Sequence, residues 1–202
     1  MMNVSDEYCT LITRGESLFK DKGSKFFGYA FPVADEEEVK SFLEEVKAQH
    51  PKARHHCYAY RLGYTGENYR ANDDGEPSGS AGKPILNTLL SAEATFALVI
   101  VVRYFGGTLL GVPGLIHAYK EAAAEALQGA EKEIRTMNTL VRIDYDFDQT
   151  NAVMQLIRKL GLTVKEQIFE ERCGIWVEVR NAYIEKIREE LKDYWTIRVT
   201  VA

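Results

Sequence analysis

Read by its apolar spacing, the chain alternates between strand-like and helix-like segments. Residues 8–13 and 26–33 are rich in aromatic and β-branched side chains and predict strands. After Asp35, the positions Val39, Phe42, Leu43 and Val46 repeat at helical spacing, and Pro51 closes the segment. Residues 56–62 predict a strand with Tyr58, Tyr60 and Leu62 on one face. Pro84 suits a first helical position, and Ile85, Leu86, Leu89 and Leu90 form an apolar stripe behind it. Residues 96–105 are continuously apolar, as expected of a central strand covered on both faces. Residues 115–130 predict an alanine-rich helix, whose small face fits close packing on a sheet.

Near Arg135 the pattern restarts. Val141, Ile143, Tyr145 and Phe147 alternate with Arg142, Asp144 and Asp146, which marks a half-exposed strand. Asp148 is placed to cap a helix bearing Val153, Leu156, Ile157 and Leu160, and Gly161 to end it. Strands follow at 163–170 and 175–180 with Cys173-Gly174 at their turn, then a helix carrying Ile184, Ile187 and Leu191, then a strand at 196–201. This βαββαβ order is the split βαβ, ferredoxin-like arrangement. The expected organisation is α+β in two domains, 1–134 and 135–202, joined by a short connection at 133–137.

Composition narrows the setting. Of the 202 residues, 46% are hydrophobic, enough for packed cores. No apolar run approaches the ~20 residues that span a bilayer, so no membrane role is expected. The start, Met1-Met2-Asn3-Val4-Ser5-Asp6-Glu7, has neither the basic opening nor the apolar stretch of a secretory signal. Cys9, Cys57 and Cys173 are scattered, which fits a reducing compartment. A cytoplasmic location is expected. Residues 135–202 carry 11 basic and 11 acidic residues, so the whole net charge of −5 falls on 1–134. Any contact with nucleic acid therefore needs a local basic patch.

Seven of the 15 glycines lie between Gly75 and Gly114, in two clusters that each run into a helix. The first is Asp73-Asp74-Gly75-Glu76-Pro77-Ser78-Gly79-Ser80-Ala81-Gly82-Lys83-Pro84 and the second is Arg103-Tyr104-Phe105-Gly106-Gly107-Thr108-Leu109-Leu110-Gly111-Val112-Pro113-Gly114. Glycine admits backbone conformations closed to other residues, and a helix start leaves N–H groups free for an anion. A phosphate-binding P-loop is excluded because Pro77 holds the first glycine position and Pro84 replaces the hydroxyl residue. The dinucleotide spacing Gly-x-Gly-x-x-Gly is absent too. Two readings stay open for Lys83 and Arg103. They join Gly82, Gly106 and Gly107 in an anion site, or they pair with Asp73, Asp74 or Glu76. Those three acids are candidate metal ligands as well as ordinary turn formers. Tyr104 and Phe105 are candidates for stacking on a base or, as an aromatic pair at a strand end, for the core. His50, His55, His56 and Cys57 look like a metal cluster on paper, but strand alternation turns His56 away from His55 and Cys57. No cofactor or metal is expected.

The glycine clusters resemble the signature of the IMPACT/YigZ family. The likeness runs through Gly23-Ser24-Lys25-Phe26, His55-His56-Cys57-Tyr58-Ala59-Tyr60, Asp73-Asp74-Gly75-Glu76-Pro77-Ser78-Gly79, Gly82-Lys83-Pro84-Ile85-Leu86, Val101-Val102-Arg103-Tyr104-Phe105-Gly106-Gly107 and Leu110-Gly111. The resemblance implies a first domain similar to the second domain of a small-subunit ribosomal protein. It implies a tail similar to the C-terminal domain of elongation factor G. Eukaryotic relatives regulate translation by interfering with activation of the amino-acid-starvation kinase, and bacterial relatives are thought to bind nucleic acid or act on ribosome-linked processes. The chain departs from the family pattern where His117 stands for an arginine, which would make an anion role there weaker and pH-dependent, and where Pro113 stiffens the loop.

The resemblance favours a non-enzymatic regulator that contacts RNA, the ribosome or a translation factor. The rivals are an enzyme acting on a phosphorylated small molecule or nucleotide, and a protein-interaction module whose glycine loops are architectural. The sequence offers the enzyme no nucleophile–base pair.

Overall fold

The computed structural model describes residues 6–170 and 172–202. The chain divides into two compact units, one of Tyr8–Arg135 and one of Thr136–Ala202 to which Asp6 and Glu7 also belong.

The first unit contains all but the first residue of β1 (Glu7–Leu11), then β2 (Gly15–Asp21), β3 (Ser24–Pro32), α1 (Glu36–Gln49), β4 (His55–Leu62), β5 (Asn68–Asn72), α2 (Gly82–Ser91), β6 (Ala97–Tyr104), α3 (Gly111–Gly129) and all but the last residue of β7 (Lys132–Thr136). Five strands form one antiparallel sheet in the order β2-β3-β6-β4-β5. The central strand β6 buries seven of its eight residues, because both its faces are covered. One face packs Phe26, Ala30, Cys57, Ala59, Val99 and Val101 against α2 and α3. The opposite face packs Phe31, Tyr60, Leu62, Leu98, Ile100 and Val102 with Val39 and Val46 of α1.

The small stripe of α3 lets its backbone approach the sheet. Ala118, Ala122, Ala123 and Ala126 are fully buried. A Cβ at Gly28 would lie 2.5 Å from the carbonyl oxygen of Ala122, so a side chain there would push the helix off.

In the second unit β8 (Asn138–Tyr145), α4 (Thr150–Leu160), β9 (Thr163–Phe169), β10 (Cys173–Arg180), α5 (Ile184–Leu191) and β11 (Arg198–Val201) follow one another. Its antiparallel sheet has the order β11-β8-β10-β9. Val141, Ile143, Tyr145, Ile175, Val177 and Val179 meet the apolar stripes of α4 and α5. Asp6 is held in this unit by Arg180, whose Nε and Nη2 donate to its carboxylate at 2.8 and 2.9 Å. Among the described residues no helix is long and apolar enough to cross a membrane.

Several local expectations are corrected. Helix α2 starts at Gly82, ahead of Pro84, and α3 starts at Gly111, ahead of Leu115. Pro113 is tolerated in the first turn of α3 because the N–H it lacks has no partner within the helix. Asp148 is not the cap of α4; Asp146 makes a capping box with Gln149 over a short 3-10 turn at Phe147–Gln149. Cys173 and Gly174 lie inside β10, paired across from Tyr145 and Asp144. Strand β7, which overlaps the segment 133–137, pairs with β1. Strands β2 and β5 lacked a recognisable apolar alternation, since β5 exposes four of its five residues.

Candidate functional site

The first glycine cluster folds into a loop that satisfies its own acids. Asp74 and Gly75, with φ of 42° and 85°, occupy the centre of a tight turn in which the Glu76 N–H donates to the Asp73 carbonyl at 2.9 Å. The Asp73 carboxylate accepts from the N–H groups of Gly79, Ala81 and Gly82 at 2.8, 3.0 and 2.8 Å. It thereby fills the N-terminus of α2, where an external anion would otherwise sit. Burial works to raise its pKa, but these three donors outweigh burial and hold the carboxyl below the usual range. Asp74 Oδ2 accepts from the His56 backbone N–H at 2.6 Å.

Glu76 points into the core. Its Oε1 accepts from Arg103 Nη1 at 2.7 Å and from the Tyr119 hydroxyl at 2.8 Å. The Glu76 and Arg103 side chains are only 4% and 9% exposed. Burial and the neighbouring Cys57 and Glu76 drive the Tyr119 hydroxyl far above the usual phenol range. Burial likewise raises the Cys57 thiol, which donates to the Asp73 carbonyl.

The two basic candidates are placed very differently. Arg103 is turned inward to Glu76, whereas Lys83 is exposed on the first turn of α2. His117 is exposed on α3, with its ring edge against Phe19 and its Nδ1 3.8 Å from Glu121. Gly82 lies against the backbone: a Cβ there would come within 2.6 Å of the Asn72 nitrogen. A Cβ at Gly106 would fall inside the backbone of Gly23 and Ser24, and the Gly106 N–H donates to Ser24 Oγ. Gly107 sits at φ 87° with open space beside it. The histidine group disperses: His50 goes to tyrosines, His55 Nδ1 to the Asp74 carbonyl, and His56 leaves a buried Nε2 without a partner.

A feature that spacing did not reveal lies on the α1 side of the sheet. Gly23, Lys25, Phe27, His50, Tyr104 and Phe105 line a cleft of about 410 Å³. His50, at the C-terminal end of α1, is bonded through both ring nitrogens, Nε2 to the Tyr29 hydroxyl at 2.6 Å and Nδ1 to the Tyr104 hydroxyl at 3.0 Å. Its ring centroid is 5.1 Å from that of Phe27 and 5.7 Å from that of Tyr104. Burial, aided by the nearby His56, lowers the His50 pKa and keeps it neutral at pH 7. One ring nitrogen then donates and the other accepts.

The cleft lies at a basic end of the sheet. Strand pairing sets Lys20 opposite Lys25, and Lys25 opposite Tyr104. Lys22 is at the tip of the β2–β3 hairpin, and Lys52 and Arg54 lie between α1 and β4. These five side chains are exposed, and none makes an ion pair among the described residues. Phe105 is 58% exposed, with the Arg103 guanidinium 5.6 Å from its ring centroid. Arg103 thus links the acidic loop to the wall of the cleft. The only sequence signal was Lys20, Lys22 and Lys25 around the turn residue Gly23, which carries no apolar periodicity.

Residues 22–127 match the Impact N-terminal domain. An IMPACT family member of Haemophilus influenzae is 33% identical over 195 residues, which cover 95% of each chain. The IMPACT family member YigZ of Escherichia coli is 36% identical over 175 residues, 86% of each chain. A crystal structure described as that of a hypothetical protein is similar at a TM-score of 0.69 and 25% identity, covering 98% of both chains. The match over the first unit and the relatives spanning nearly the whole length agree, and the chain belongs to the IMPACT family.

Proposed function

We propose that this protein is a non-enzymatic, translation-associated regulator of the cytoplasm that contacts RNA, the ribosome or a translation factor through its first unit. The observation that carries the reading is the aromatic cleft with five unpaired basic side chains around it, on a unit whose overall balance is acidic. A local patch of this kind is what binding a polyanion requires of an acidic chain. Lys83 is exposed on α2, which packs on the opposite face of the sheet, so it lies outside this patch. Arg103, which packs on Phe105, and Gly106, which abuts Gly23, serve the patch as positioning elements, whereas Gly82 is committed to Asn72 away from the cleft. Asp73, Asp74 and Glu76 are likewise committed to internal partners, which weighs against the rival enzyme reading.

Two further points support a place in translation. Family membership brings the regulatory role attributed to eukaryotic relatives. The βαββαβ order and the β11-β8-β10-β9 sheet of the second unit fit a ferredoxin-like domain such as that at the C-terminus of elongation factor G. The first unit, read as 1–134, is assigned the ribosomal-protein-like fold, and 135–202 the ferredoxin-like one. The test is co-sedimentation with ribosomes, and binding of structured ribosomal RNA, over a salt series. Binding that weakens as salt rises is expected. Failure to co-sediment, together with no salt-sensitive RNA binding, would overturn the proposal.

A further inference from the structure

Resting on that reading and narrowing it, we infer that the cleft beside His50 is a site for single-stranded RNA, with bases stacked on Phe105 and Tyr104 and phosphates held by Lys20, Lys22, Lys25 and Lys52. Three independent observations point to this ligand.

The first is the chemistry of the walls. Phe27 and Tyr104 meet edge to face at 5.8 Å, and Phe105 stands more than half exposed next to them. Bases in a duplex are stacked on one another and have no free faces to offer. A shallow aromatic cleft therefore selects unpaired bases. Phe105 is a braced platform, because Arg103 packs on its ring and is itself fixed by Glu76.

The second is the placement of charge. Lys20, Lys25 and Tyr104 follow one another across three neighbouring strands, so the charges run along one border of the aromatic surface. A backbone lying along that border would keep its bases over the rings. None of these ammonium groups is neutralised by a carboxylate among the described residues.

The third is backbone strain at Lys22. The β2–β3 hairpin turns through Lys22 and Gly23, with φ of 43° and 82°. This turn favours asparagine, aspartate or glycine at its first central position, because a longer side chain strains the left-handed backbone. A lysine is held there at a cost to the fold, and it sits at the tip nearest the cleft residue Gly23.

The experiment is fluorescence anisotropy of the full chain with a short labelled unstructured RNA and with a duplex of equal length. Single-stranded RNA should bind at least about fivefold more tightly. Phe105→Ala should weaken it roughly tenfold, a typical loss for one stacked base, while Phe105→Trp retains it. Lys22→Gln with Lys25→Gln should weaken it as well. All these positions are exposed, so the variants should fold, which circular dichroism checks. Trp195→Ala, at a residue 90% exposed in the second unit, should change nothing. Equal affinity for duplex and single strand, or an unaffected Phe105→Ala, would overturn the inference. If ribosomes bind while the unstructured RNA does not, this site assignment falls and the broader proposal stands. If neither binds, both fall.

Discussion

Replacing Glu76 by glutamine isolates the contact that ties the acidic loop to the sheet. The change keeps the shape of the side chain and removes one charge. Arg103, 9% exposed, would then lie in the core without a counter-ion, and its Nε already lacks a partner. Breaking a buried ion pair from one side costs about 3–5 kcal/mol. Because the amide oxygen can still accept from both Arg103 and Tyr119, the low end of that range, about 3 kcal/mol, is expected. For a unit of this size, 1 kcal/mol corresponds to roughly 3–5 °C, so the first transition should fall by about 10 °C. The assay is thermal and urea unfolding followed by circular dichroism. Adding Arg103→Met removes the stranded charge and should recover at least about 1 kcal/mol relative to Glu76→Gln alone. A loss below about 0.5 kcal/mol for Glu76→Gln, or a double variant less stable than the single, would refute the reasoning.

Asp73→Ala removes the acceptor for three N–H groups at the start of α2 and should cost about 2 kcal/mol, measured by urea unfolding, whereas Asp73→Asn should cost less. Gly106→Ala must displace the backbone of Gly23 and Ser24 and should destabilise by about 3 kcal/mol; Gly107→Ala meets only its left-handed backbone and should cost about 1 kcal/mol. Burial is the leading cause of the lowered pKa of both His50 and His56, so the unfolded chain takes up protons near pH 6.5 before the folded one does. Their stabilising contribution is complete above that pH and is lost as the pH falls, so the melting temperature should drop between about pH 7 and pH 5.5. His50→Gln should flatten that dependence.

The elements that were legible in the sequence bury a regular apolar stripe. The run through Val99, Val101 and Val102 announced a central strand, and Val39, Phe42, Leu43 and Val46 announced α1. Strand β5 was not legible, because it is an exposed edge held mainly by pairing with β4. The helix starts were misplaced for a related reason. Glycine and proline suggested loop residues, but Asp73 caps α2 from nine positions away in sequence. No local motif encodes such a contact. At the site, the residue types were visible in the sequence, but the directions of their side chains were not. Strand pairing turns Arg103 inward to Glu76 while Tyr104, one residue later, faces His50. The cleft itself unites a hairpin, the end of α1 and the end of β6, three segments up to about 80 residues apart that only the sheet order brings together.

The most direct measurement of the central claim is the salt dependence of RNA binding in the full chain and in a Lys20→Gln, Lys22→Gln, Lys25→Gln variant. Each phosphate contact on a single strand contributes about 0.7 to the slope of log affinity against log salt. The account predicts a slope shallower by about 2 in the variant, with folding unchanged. An identical slope in the two proteins would contradict it and place any RNA contact elsewhere on the molecule.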